Sequence, residues 1–142
     1  MLAYPSGLYQ YVFATSFFQW QHIYFAYNYK KYYCMTQGLV LFTTSVTYWW
    51  NPLTNCLRCT IDMYVAHSTI AFHAYLAIAH TTNPVLCGST IALGASMYPL
   101  SIWCVSNTWL IKRGLNQYAG TACHCLLHII VSLGASLTYA HM

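Results

Sequence analysis

Asp62 is the only acidic residue in a chain of 142, and the cations Lys30, Lys31, Arg58, Lys112 and Arg113 complete its fixed charge. That scarcity constrains the fold more than any motif. A water-soluble domain carries about 25% charged residues, whereas here 4% of residues are charged and 58% are hydrophobic. A globular chain of this size still exposes roughly a third of its unfolded surface, and there are almost no ions to place there. Lipid is the solvent that such a surface matches. The 14 Tyr and 5 Trp fit the same environment, because amphipathic rings collect at membrane interfaces. Disordered chains are polar and poor in aromatics, so intrinsic disorder is excluded.

The expected fold class is therefore an all-α integral membrane protein, a single polytopic domain over residues 1–142 with about five transmembrane helices. Breakers divide the sequence into apolar segments at about Leu8–Tyr29, Tyr32–Trp50, Ile61–His80, Val85–Leu110 and Tyr118–Ala140. Asn51-Pro52 ends the second, Asn83-Pro84 ends the third, and Pro99 is expected to kink the fourth. Each segment is roughly 19–26 residues, against the ~20 needed to cross a bilayer at 1.5 Å per residue. The first two segments are the least hydrophobic, and a fold of four spans plus one re-entrant segment two is the alternative. The opening Met1-Leu2-Ala3-Tyr4-Pro5 lacks a basic region, so the first segment is read as mature protein rather than a secretory signal.

The net charge of +4 is too small and scattered for a nucleic-acid footprint. The seven cysteines do not read as a secreted disulfide framework, because Cys34, Cys87, Cys104 and Cys125 fall inside expected spans. Leu93-Gly94-Ala95-Ser96 reappears as Leu133-Gly134-Ala135-Ser136, which reads as two similar small-residue packing faces.

The candidate chemistry gathers toward one face. Asp62 begins segment three, where an acid also suits the first turn of a helix beside a Thr60 cap. His124 and His128 share one face of segment five, so both imidazoles can reach one metal ion, zinc being the candidate. A third ligand must come from elsewhere, and His67, Asp62 and Cys125 are candidates. The competing reading makes these histidines hydrogen-bonded glue between helices. Cys56-x-x-Cys59 with Cys123 and Cys125 offers four thiolates, but sulfurs two residues apart on one helix point away from each other. His73 and His80 lie on one face of segment three, with a bis-histidine haem at His73 as a further alternative.

Ser45-x-x-x-Trp49, then Asp62, then His124-x-x-x-His128 resembles a reduced form of the pattern of the CREST superfamily, which includes alkaline ceramidases and progestin/adipoQ receptors. That family carries Ser-x-x-x-His, then Asp, then His-x-x-x-His on seven spans, and its histidines hold zinc that activates water for lipid amide hydrolysis. The resemblance implies His124 and His128 as zinc ligands and Ser45 and Asp62 as supporting catalytic groups. Trp49 stands where the family has its first histidine, and His67 is the candidate replacement. Two functions follow as expectations. One is a zinc-dependent intramembrane hydrolase of a lipid amide or ester. The other is a non-enzymatic structural or assembly protein of a membrane, as a homo-oligomer, a subunit of a larger complex or an envelope component.

Overall fold

The computed structural model describes residues 7–53 and 56–142; the opening Met1–Pro5 motif lies outside them. The described residues form helices and turns without a β-strand, so the all-α expectation holds. The helices are α1 (Tyr9–Ser16), α2 (Gln19–Asn28), α3 (Tyr32–Trp49), α4 (Leu57–Ala79), α5 (Pro84–Ser106), α6 (Thr108–Lys112) and α7 (Asn116–His141). Among the described residues, α5 and α7 are the two that combine the length and apolarity needed to cross a membrane.

Local chemistry explains the boundaries. Asn83 caps α5 by accepting from the Leu86 amide at 3.2 Å, and Pro84 follows at the first helical position. Asn107 accepts from the amides of Trp109 and Leu110, both at 3.1 Å, and so starts the short α6. Segment one is two helices rather than one. The Thr15 and Ser16 hydroxyls each donate to the Val12 carbonyl at 3.0 Å. The backbone there tightens to i→i−3 bonds, Phe17 to Ala14 at 3.2 Å and Phe18 to Thr15 at 3.0 Å. Helix α4 begins four residues before the expected Ile61, because the Cys56 thiol accepts from the Cys59 amide at 3.3 Å and serves as its cap. Asp62 therefore sits in the second turn, too deep for the first-turn role expected of it.

Successive long helices run antiparallel, as the pairs Ser45–Asp62 and His67–Tyr98 require. The closest packing joins α5 and α7, and the repeated Leu-Gly-Ala-Ser stretches make it. A Cβ at Gly94 would lie 3.0 Å from the Val131 amide nitrogen, and one at Gly134 would lie 3.3 Å from that of Ile91. The two faces expected from the repeat are thus the two sides of one contact, where bare backbone lets the helices approach.

Many polar side chains are buried beside the apolar core, and many large apolar ones are exposed. Gln19, His22, Ser45, Asp62, Thr69, His73, Ser101, Thr121, His128, Ser132, Ser136 and Thr138 are inside, while Leu57, Ile78 and Val85 are 75%, 69% and 79% exposed.

Candidate functional site

A cavity of about 380 Å³ lies between α2, α3, α4, α5 and α7. Its apolar wall comes from Leu41, Met63, Ile70, Leu127 and Val131 among others, and its polar groups are Gln19, His22, Ser45, Asp62, His67, Tyr98, His124, His128 and Ser132. All five residues singled out from the sequence, Ser45, Asp62, His67, His124 and His128, therefore line one space. The lining residues that are exposed, Met63, His67, Ala71 and Pro99, all belong to α4 and α5, so the cavity opens sideways between those two helices. Pro99 has no N–H to offer the Ala95 carbonyl one turn back, and both residues stand at this opening.

Antiparallel α3 and α4 bring Ser45 to Asp62, and the Ser45 hydroxyl donates to the Asp62 carboxylate at 2.7 Å. The Gln19 amide nitrogen in turn donates to the Ser45 oxygen at 3.4 Å. Asp62 is 7% exposed. Arg58, one turn earlier on α4, does not pair with it. Its Nη1 and Nη2 donate instead to the carbonyls of Thr47 at 3.3 Å and Asn51 at 3.4 Å.

The α7 pair is held from two sides. The rings of His124 and His128 are 5.2 Å apart between centroids. His128 Nδ1 lies 3.3 Å from the Thr15 hydroxyl and 3.4 Å from that of Ser16. Both hydroxyls already donate to Val12, so Nδ1–H is the donor and Nε2 of the neutral ring carries the lone pair. His124 is flanked by Trp49 at 4.9 Å and Tyr98 at 6.4 Å between ring centroids. His67 is exposed, donates from Nδ1 to the Met63 carbonyl at 2.6 Å and packs against Tyr98, 5.3 Å away. Tyr98 thus has ring contacts with both His67 and His124.

The zinc expectation asks for three ligands around one point. His128 has the fixed tautomer a ligand needs. Among the described residues, however, no three His, Cys, Asp or Glu side chains gather closely enough to hold a metal ion. The ring beside His124 from α3 is the indole of Trp49, which is no metal ligand. The residues as arranged do not close a zinc site.

No family model, curated protein or solved structure matches this chain. Its function must be read from its own residues.

The other sequence candidates find structural partners. Cys56, Cys59 and Cys125 pack against the Val12–Tyr48–Trp49 cluster, and all seven cysteines are free thiols. His73 is fully buried; its Nδ1 donates to the Thr69 carbonyl at 2.8 Å and its Nε2 accepts from the Tyr139 hydroxyl. With both nitrogens engaged, no lone pair is left for a haem iron. His80 is exposed and lies 3.2 Å from the Tyr75 hydroxyl.

Sequence reasoning gave no role to Gln19 and His22. His22 is 1% exposed, both its ring nitrogens and the Gln19 Oε1 lack hydrogen-bond partners among the described residues, and both residues line the cavity. Gly38 makes room for the ring, since a Cβ there would collide with it. The available signal was two polar residues one turn apart in an otherwise aromatic run.

Proposed function

We propose that this chain is a multi-pass membrane protein, its helices forming five spans, whose central cavity binds a single-chain, lipid-like ligand drawn from the bilayer. The observation that carries the reading is the cavity of about 380 Å³, apolar along most of its wall and open between α4 and α5 toward the surface that would face lipid. Its size and its few convergent polar groups are those of small-molecule sites, typically about 300–1,000 Å³. The membrane setting is supported by the many exposed apolar side chains and by the rings at the helix ends. Tyr27, Tyr29, Tyr32 and Tyr33 surround Lys30 and Lys31 at one end, and Trp50, Trp109 and Tyr118 stand exposed at the other.

The test is native mass spectrometry of the protein purified in mild detergent from a membrane fraction. One lipid-sized adduct per chain is expected, and it should disappear in Ala66→Trp, which fills the cavity. Recovery in the soluble fraction, or an adduct that Ala66→Trp leaves unchanged, would overturn the reading.

A second reading adds hydrolysis of a lipid amide or ester to the same cavity. What favours it is the placement of Ser45, Asp62, His124 and His128 around one space, the grouping implied by the CREST-like pattern. Metal content decides it. Near-stoichiometric zinc in wild type, lost in His124→Ala/His128→Ala, would promote this reading; its absence from folded wild type removes it.

A further inference from the structure

The cavity's charge pattern identifies the kind of ligand head it accepts. Asp62 is the chain's single acid, and it lies on the cavity wall at 7% exposure. No Lys or Arg lines that wall. Arg58 stands one turn earlier on the same helix, within reach of the acid although base-before-acid is the weaker i,i+4 order. Its guanidinium is instead spent on the Thr47 and Asn51 carbonyls at the end of α3. Ser45 supplies one hydrogen bond to the carboxylate, which orients the group without neutralising it. A buried charge in an apolar surrounding is costly unless paired, and in membrane proteins such a group marks a ligand or ion pathway. The rings of Tyr98 and His67 stand by the opening of the same cavity, and an aromatic face such as Tyr98 attracts a cation.

We propose that the cavity selects an amphiphilic cation, a single apolar chain ending in an ammonium group, with Asp62 as the counter-ion and Tyr98 along the entry. The proposal rests on the cavity being a ligand site, as argued above. The apolar wall takes the chain, the opening between α4 and α5 admits it from the bilayer, and the ammonium replaces the partner that Arg58 does not supply. An anionic lipid of the same chain length meets only Asp62 as fixed charge and is rejected. A neutral one is accepted with lower affinity.

The experiment compares three probes with the same tail: dodecyltrimethylammonium, dodecanol and dodecyl sulfate. Each is titrated below its micellar concentration into the full chain in nanodiscs, with chelator present so that no metal contributes charge, and calorimetry reads the affinity. Dodecyltrimethylammonium should bind at one per chain, more tightly than dodecanol by about tenfold or more, as a charge-assisted contact requires. Dodecyl sulfate should not bind. Asp62→Asn should abolish the preference of cation over alcohol, and Asp62→Glu should keep it. Equal affinity for the cation and the sulfate in wild type overturns the proposal without recourse to any variant. So does a preference that survives in Asp62→Asn. Dodecanol binding with no cation preference defeats this proposal alone, whereas binding by none of the three defeats the cavity reading beneath it.

Discussion

Trp49 packs edge-on against His124, with ring centroids 4.9 Å apart and planes at 72°. An imidazole in place of the indole would lie beside His124 and is expected to complete a three-histidine set with His128. Trp49→His should therefore raise zinc affinity by at least about tenfold, or ~1.4 kcal/mol, and adding His124→Ala should remove the gain. Competition against a chromogenic chelator in detergent measures both. Unchanged affinity in Trp49→His would mean that the α3 position does not reach the His124–His128 face of α7.

The Ser45–Asp62 bond predicts an asymmetry between single and double variants. Ser45→Ala strands a buried carboxylate oxygen and should cost about 1–3 kcal/mol of stability. Asp62→Leu/Ser45→Ala removes both partners and should be milder than the sum of the single changes. Unfolding by titration with a denaturing detergent gives the four values of the cycle. Strict additivity would show that the 2.7 Å contact carries no coupling.

His73 and Tyr139 allow a parallel test away from the cavity. His73 is fully buried and its Nε2 takes its hydrogen bond from the Tyr139 hydroxyl. Tyr139→Phe leaves that nitrogen without a donor at nearly unchanged volume, so a loss of about 1–3 kcal/mol is expected. His73→Phe/Tyr139→Phe should recover part of it. The same unfolding measurement reports whether α4 and α7 are tied through this pair.

These pairs also show what could be read in advance. The breakers Asn51-Pro52 and Asn83-Pro84 place the end of α3 and the start of α5 to within a residue, because a missing N–H and a capping side chain act locally. The i,i+4 spacing put His124 and His128 on one face, and the packed helices bring Ser45 and Asp62 to the same cavity. The break at Phe17–Phe18 was not legible, since it depends on two hydroxyls bonding back to Val12 where a regular helix would serve equally well. Cys56 stood out only as half of a Cys-x-x-Cys pair; thiols seldom cap helices, and its capping role appears only once α4 is seen to begin at Leu57. The contact of His67 with Tyr98 depends on the rotation of α4 against α5, which no pattern along the chain encodes. His22 was missed for a similar reason: the glycine that makes its space, Gly38, is on another helix.

The glycines of α5 and α7 carry the last prediction. Gly94 faces the Val131 backbone and Gly134 faces that of Ile91, each helix presenting its glycine to the other. A methyl at Gly94 would come 3.0 Å from a backbone nitrogen, where no side-chain rotation relieves it, and one at Gly134 would come 3.3 Å from its counterpart. Overpacking typically costs about 1–3 kcal/mol, and Gly94→Ala should fall toward the upper end, with Gly134→Ala smaller. Both glycines act on one interface. Once the first substitution has pushed the helices apart, the second finds room, and the double variant should cost clearly less than the sum of the two. Gly88 is the control on the same helix, since a Cβ there meets only a side-chain atom of Ile78 at 3.9 Å; Gly88→Ala should be neutral or stabilising through its helix propensity. Equal losses at all three positions would show that the effect is generic to these helices rather than set by the close approach of α5 to α7.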